Sequence, residues 1–216
     1  MTNKLFCFGM GFSARLVADA LHEDGWKIAG TTRSPDKAAQ LRSHGIEPFI
    51  FADDQPIEDI RAALKGVTHV LVSAPPGGMG DPVIHHHGSD LAILPHGTWI
   101  GYLSTTGVYG DRDGGEVTED DELLPSGKRG RRRVAAEKAW FDLGHRHGLC
   151  VQSFRLAGIY GPGRNALETV KSGRARRIVK PGQVFSRIHV HDIAQTVLAS
   201  IKQPNCGATY NVCDDD

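Results

Sequence analysis

The chain has 216 residues and carries 25 basic and 25 acidic side chains, so its formal charge balances. That balance removes any electrostatic argument for nucleic acid or an anionic membrane surface as a partner, and no apolar run is long enough to span a bilayer. The length suits a single domain over residues 1–216 with a full hydrophobic core. The N-terminus enters an apolar strand almost at once, so no signal peptide is expected. Cys7, Cys150, Cys206 and Cys213 form no Cys-x-x-Cys pair and lie mostly in or beside apparent strands. They read as reduced, mostly buried thiols, with a reducing cytoplasm as the default compartment.

The first apolar run, Leu5-Phe6-Cys7-Phe8, leads into Gly9-Met10-Gly11-Phe12-Ser13-Ala14 and then a helix with Ala14, Val17, Ala18 and Leu21 as its buried stripe. The form is G-x-G-x-x-A. Gly9 permits the tight turn, Gly11 allows a diphosphate to approach the backbone, and Ala14 lets helix and strand pack closely. Amides of the first helical turn, from Phe12 and Ser13 onward, then face the phosphates with the helix dipole behind them. A dinucleotide site follows, built by Gly9, Met10, Gly11, Phe12 and Ser13.

A second strand is predicted over 26–32. Its end carries Thr31-Thr32-Arg33-Ser34 where an acidic residue would accept the adenosine ribose hydroxyls. Small hydroxyls and the guanidinium fork of Arg33 suit a phosphate dianion, which predicts NADP over NAD; the alternative is a solvated loop charge. Ser34-Pro35 caps a helix that ends before Gly45. A strand over 48–52 ends at Asp53, either an acceptor for the adenine amino group or a loop or helix-cap residue. A helix over 57–64 and an unbroken apolar strand over 67–73 continue the alternation that signals a parallel sheet covered on both faces.

The loop after that strand, Ser73-Ala74-Pro75, is small enough to lie against a cofactor at the carboxyl edge of the sheet. His85-His86-His87, with Asp81 and Asp90 nearby, invites a metal reading. Consecutive helical residues diverge, however, so a solvated helix end is expected and no metal. A strand over 98–103 delivers the hydroxyl row Ser104-Thr105-Thr106, placed to hold a substrate oxygen. A polar loop over 111–130 and a helix over 131–147, with Ala136, Trp140 and Leu143 on one face, come next. The cluster Lys128-Arg129-Gly130-Arg131-Arg132-Arg133 is short and lacks interleaved aromatics. It reads as a charged helix start or a pocket for an anionic ligand, not a nucleic-acid platform. Arg174, Arg176, Arg177, Lys180 and Arg187 hint at an acidic or phosphorylated substrate, with surface solvation an equal explanation. A short helix over 165–171, an amphipathic helix over 192–201 and a strand over 208–212 close the chain.

The glycine turn, Leu103-Ser104-Thr105-Thr106-Gly107-Val108-Tyr109-Gly110, Arg155-Leu156-Ala157-Gly158-Ile159-Tyr160-Gly161-Pro162-Gly163, Arg187-Ile188-His189-Val190-His191-Asp192-Ile193-Ala194 and Tyr210-Asn211-Val212 stand in a specific order. In these stretches the chain resembles the extended short-chain dehydrogenase/reductase family, also called the NAD-dependent epimerase/dehydratase family, over residues 4–214. The resemblance implies an α/β Rossmann-type fold, a doubly wound parallel sheet of about six to seven strands with helices on both faces. It also implies a small C-terminal substrate lobe, to which 157–190 and 202–216 contribute. Family members continue past Tyr-Asn-Val, so this lobe is expected to be incomplete. Implied too are NAD(P) as cofactor, substrates that are often nucleotide sugars, and a homodimer.

The family's catalytic pattern is a Ser or Thr followed by Tyr-x-x-x-Lys. Thr105 occupies the hydroxyl position. Aligning Ala136-Glu137 with the family's helix puts Arg129 at the tyrosine position and Arg133 at the lysine position. An arginine stays protonated at any working pH and cannot exchange the proton that accompanies hydride movement. Arg133 is left to hold the nicotinamide ribose, Arg129 to neutralise an anionic substrate or oxyanion, and His189 is the best relocated acid/base. Tyr109 and Tyr160 are expected to be packing residues, and Ala157, Gly158 and Ile159 to cross the nicotinamide end of the cofactor. Two functions stay open: an oxidoreductase or epimerase/dehydratase with a non-standard proton donor acting on a polar or anionic small molecule, or a catalytically inactive NADP(H)-binding sensor or scaffold.

Overall fold

A computed structural model describes residues 2–177, 179 and 181–215; the predicted basic position Lys180 lies outside them. Strand β1 (Lys4–Phe8) is fully buried, and its side chains alternate between two cores. Leu5 and Cys7 point to the layer of helices α1 (Phe12–Glu23), α2 (Pro35–Ser43) and α7 (Val190–Lys202). Phe6 and Phe8 point to the opposite layer of α3 (Ile60–Leu64), α4 (Pro82–Leu91) and α5 (Lys128–His147). The period-2 alternation of a strand buried on both faces is what makes this one chain segment the spine of two layers.

Around β1, strands β2 (Lys27–Thr32), β3 (Glu47–Ile50), β4 (His69–Val72), β5 (Trp99–Thr105), β6 (Cys150–Leu156) and β9 (Thr209–Val212) complete a seven-stranded parallel sheet. Their order is β3-β2-β1-β4-β5-β6-β9. The order reverses between β1 and β4, which opens the crevice at the carboxyl edge where such sheets bind ligands. This is the expected Rossmann-type fold. A second, two-stranded parallel sheet pairs β7 (Gly158–Tyr160) with β8 (Arg187–His189), and α6 (Ala166–Lys171) lies between them in sequence. Among the described residues no helix is long and apolar enough to cross a membrane.

A buried ion pair ties β6, next to the β9 edge, to α5. Arg155 and Glu137 are 5% and 3% exposed, and Arg155 Nη2 lies 3.0 Å from Glu137 Oε2. Arg155 Nη1 also donates to the Tyr109 hydroxyl at 2.6 Å and to Glu119 O at 3.1 Å. Tyr109 in turn donates to Asn211 Oδ1 at 2.7 Å. One guanidinium thus gathers β6, α5, the loop after β5 and β9, and the expected packing role of Tyr109 is what its buried ring performs.

Several expectations are corrected. Cys150 and Cys206 are not reduced thiols but form a disulfide, because Cys206 sits in the turn entering β9 beside the start of β6, with a Cα–Cα distance of 4.6 Å. Cys7 is a buried free thiol and Cys213 an exposed one. The histidine run lies inside α4 and is solvated only in part: His85 is exposed and His86 half-buried, but His87 is not. His87 is 2% exposed, stacks on Phe8, and takes a hydrogen bond from Ile57 N on Nε2 at 3.0 Å. The helix over 57–64 shortens to α3 because Asp59 caps it through Ala62 N. Strand β5 runs on to Thr105, since Ser104 and Thr105 still pair with Arg155 and Leu156 of β6. Helix α5 begins at Lys128, taking in basic residues assigned above to the preceding loop.

Candidate cofactor-binding and catalytic site

The glycine turn is shaped by its own hydrogen bonds. Gly9 adopts φ 89°, a left-handed conformation that side chains rarely take, and a Cβ there would sit 3.0 Å from Ala74 N. Its amide donates to Thr31 Oγ1 at 2.7 Å, Met10 N donates to Thr31 O at 2.9 Å, and Gly11 N donates to Gly9 O at 2.9 Å. Across the switch point, Ser73 N and Ala74 N both donate to Phe8 O, at 2.8 and 3.0 Å, bringing Ser73-Ala74-Pro75 over the turn.

Gly11, the residue at the N-cap of α1, offers no side-chain cap to the helix that Phe12 and Ser13 begin. Helices α2, α3, α4, α6 and α7 are each closed by a side-chain acceptor, from Ser34, Asp59, Asp81, Asn165 and His189. Helix α5, at Gly127, likewise has no side-chain cap; the first-turn amides of α1 are left for an outside acceptor beside the glycine turn, and the residues fit a dinucleotide diphosphate.

A crevice of about 290 Å³ runs from this turn to the end of β2. Of the predicted cofactor residues, Gly9, Met10, Gly11, Thr32, Arg33, Asp53, Ser73, Ala74 and Pro75 line it. Arg33 is exposed at its rim, and Asp53 is held by a hydrogen bond from His86 Nε2 to its carbonyl at 2.9 Å. Thr31 lines it too, and the sequence reading missed Phe51, Ala52 and above all Lys37. Lys37 stands in the first turn of α2, where its amide donates to Ser34 Oγ at 3.3 Å. The Ser34-Pro35 cap was the available signal, because it puts Lys37 within a turn of Arg33. Ala157, Gly158 and Ile159 do not line this crevice: Ala157 is buried, and Gly158 and Ile159 pair with Arg187 and Ile188 in the second sheet.

Thr105 is the last residue of β5, and its Oγ1 accepts from Gly107 N at 3.1 Å, capping the 3-10 turn Thr106–Val108. Beside it, the Ser104 hydroxyl is buried without a partner among the described residues. The start of α5 presses against this turn: a Cβ on Gly130 would lie 2.6 Å from Gly107 O. Arg129 is exposed on that helical turn. Arg133 donates through Nη1 to Leu103 O at 2.7 Å and to the Tyr102 hydroxyl at 3.0 Å, with its guanidinium 5.4 Å over the Tyr102 ring. Burial pushes the Tyr102 phenol up, so it stays neutral. An open hollow of about 370 Å³ adjoins this point, lined by Gly107, Gly110, Asp111, Asp113 and residues 181–184 among others.

His189 ends β8 and caps α7 through Nδ1, which accepts from His191 N at 3.4 Å, while its own amide donates to Asp214 Oδ1 at 3.2 Å. No hydrogen bond links it to Thr105 among the described residues. A Cβ on Gly161 would lie 3.5 Å from His189 Nε2 and 3.3 Å from Phe12 Cζ, so the histidine stands near the glycine turn. Tyr160 is not a packing residue. It is 36% exposed on the rim of a groove of about 890 Å³, and a hydrogen bond to Asp214 holds its phenol above the usual range. Among the described residues, no cluster of three or more His, Cys, Asp or Glu side chains could hold a metal ion.

The family described as the NAD dependent epimerase/dehydratase family matches residues 97–213. Protein YeeZ of Escherichia coli (strain K12) is 26% identical over 221 residues, covering 97% of this chain and 77% of that one. Among solved structures, a functionally unknown conserved protein from Silicibacter pomeroyi DSS is 47% identical with a TM-score of 0.88, covering 100% of this chain and 73% of that one. UDP-glucuronic acid 4-epimerase from Bacillus cereus, in complex with UDP-glucuronic acid and NAD, superposes with a TM-score of 0.80 at 16% identity. That match covers 99% of this chain and 78% of the epimerase, and the likeness is one of fold.

Proposed function

Because the chain belongs to the NAD-dependent epimerase/dehydratase family, we propose that it binds NADP(H) and acts as an oxidoreductase or epimerase/dehydratase on a polar or anionic small molecule, a nucleotide sugar being one such class. The observation that carries the cofactor choice is the pair Arg33 and Lys37 on the crevice that begins at the glycine turn. A 2′-phosphate meets two cations there, where a carboxylate would repel it. The bound coenzyme supplies hydride exchange.

The chain's own residues do the rest. Amides of α1 receive the diphosphate, Asp53 accepts from the adenine amino group, and Ala157, Gly158 and Ile159 border the nicotinamide end. Thr105 orients a substrate oxygen, Arg133 holds the nicotinamide ribose, and Arg129 presents fixed positive charge to an anionic group. His189 is the imidazole placed to give or take a proton. A second reading is an NADP(H)-binding sensor or scaffold without turnover. Its support is the locking of Arg133 onto Leu103 O and Tyr102 at the position where the family carries its lysine.

Calorimetry with NADPH and NADH tests the cofactor. Arg33→Ala is expected to weaken NADPH binding by about 1.5–3 kcal/mol, the worth of a charge-assisted hydrogen bond, and to leave NADH nearly unchanged. Equal loss for both coenzymes refutes the assignment. Nicotinamide absorbance followed with aldehydes, ketones and sugar nucleotides separates the two readings: turnover abolished by His189→Ala or Thr105→Val supports the enzyme, and tight NADPH binding with no turnover supports the sensor.

A further inference from the structure

We propose that Arg164, carried by the turn between β7 and α6, is a positioning residue for the coenzyme diphosphate, closing on it from the side of the second sheet. The inference rests on the dinucleotide reading of the glycine turn and adds to it a group from outside the Rossmann half.

Three observations carry it. First, the Arg164 guanidinium lies 5.7 Å from the centroid of the Phe12 ring. Phe12 is the first residue of α1, so its amide is among those left free for an outside acceptor. Second, Arg164 is exposed and joins no ion pair among the described residues. Its charge at the positive end of a helix has no anion to offset it, and stacking on one ring is worth far less than a bidentate phosphate contact.

Third, the turn that holds it is rigid and closely seated. Gly161 N donates to Arg164 O at 2.9 Å and Arg164 N returns to Gly161 O at 3.0 Å. Asn165 Nδ2, from the N-cap of α6, donates to the same Gly161 carbonyl at 3.2 Å. Pro162 and Gly163, the latter at φ 71°, are the central residues a type II turn takes. A Cβ on Gly161 would come within 2.7 Å of Val190 Cγ1 and 3.3 Å of Phe12 Cζ, so only glycine lets the turn settle this near α1. The anchored backbone keeps the base of the arginine side chain beside α1, so the guanidinium has only a short way to reach an anion at the glycine turn.

The target is the diphosphate and not the 2′-phosphate. Arg33 and Lys37 come from the junction of β2 and α2, whereas Arg164 meets the residue that follows the last glycine of the turn. The arginine fork therefore serves the part of the coenzyme that NADP and NAD share.

The test is calorimetry of NADPH, NADH and adenosine 2′,5′-bisphosphate on the wild type, Arg164→Gln and Arg164→Lys, at 50 and 500 mM salt. Arg164→Gln is expected to raise Kd about tenfold for both dinucleotides at low salt, with a smaller change for the bisphosphate, which keeps only the adenosine-side phosphate of the bridge. Arg164→Lys recovers part of the loss, and 500 mM salt narrows the gap between wild type and Arg164→Gln by screening an exposed contact. Unchanged dinucleotide affinity in Arg164→Gln overturns the assignment while leaving the coenzyme site standing. Loss confined to NADPH overturns it in favour of 2′-phosphate recognition, and failure of Arg164→Lys to recover anything overturns it in favour of a packing role. A wild type that binds neither dinucleotide overturns both this inference and the reading beneath it. If Arg164→Gln does not fold, Arg164→Lys and the salt dependence of the wild type decide: an unchanged Kd in both overturns the proposal.

Discussion

Reduction of the Cys150–Cys206 bond should cost stability without touching the coenzyme site. The bond joins residues separated by 56 positions, and the closed loop holds β6, the second sheet, α6 and α7. Constraining a loop of that length in the unfolded chain is worth about 4 kcal/mol in the chain-entropy treatment. Unfolding entropy of roughly 2.1 cal/mol/K per residue gives about 0.45 kcal/mol/K for this chain, so the midpoint should fall by about 9 °C. The assay is a thermal melt with and without a phosphine reductant, paired with thiol titration. Cys213 alone should react in the native protein, Cys7 should join it on unfolding, and all four cysteines should react only after reduction. Cys150 opens β6, whereas the crevice lies at the opposite, carboxyl end of the sheet. NADPH affinity should therefore be unchanged by the reductant. Titration of all four thiols in unreduced unfolded protein, or a midpoint shift below about 2 °C, would refute the reasoning.

The remaining predictions concern the core. Glu137→Gln leaves the Arg155 guanidinium buried without its counter-charge and should destabilise the protein by about 3–5 kcal/mol in urea unfolding; a loss below about 1 kcal/mol would show that the Tyr109 hydroxyl and Glu119 carbonyl suffice. Burial lowers His69 to about 4 and also lowers His87, so the native state binds fewer protons than the unfolded chain. Their contribution is present above the ordinary histidine pKa, declines as pH falls below about 6.5, and for His69 is gone below about 4. Asp81 works the other way, since burial raises its carboxyl. Melts between pH 7.5 and 4.5 should show a falling midpoint that is shallower in His69→Gln; an identical slope in the variant rejects the assignment.

The alternation of strands and helices and the glycine turn were legible because each is local: period-2 and period-3.6 runs punctuated by Gly9, Ser34 and Gly45. What was missed depended on contacts between distant segments. Thr105 stays in β5 because Leu156 of β6 pairs with it, which no run of hydroxyls announces. His87 reads as a polar helix residue, yet Phe8 and Phe51 surround it and Ile57 N needs its lone pair. Cys206 lies in a polar turn that becomes a disulfide partner only when β9 is laid beside β6. Along the crevice, the glycine turn and Arg33 were readable from motif spacing, whereas Lys37 joins its lining only because α2 folds back beside the end of β2. Tyr160 was taken for packing because it stands in a stretch common across the resembled family, and its ring instead meets the edge of His189 at the surface.

The two rims of the large sheet are closed in different ways. At β3, Pro48 has no amide hydrogen to offer a neighbouring strand. At β9, Glu119 Oε1 takes the Asn211 amide at 2.6 Å, and Asn211 Nδ2 reaches back to Val117 O at 3.2 Å. The acidic loop after β5 is therefore a selvedge, a woven border that keeps the outermost strand from being extended by a foreign one. Shortening that loop would unravel the border before it disturbed the interior, and the first symptom would be self-association of an otherwise folded protein.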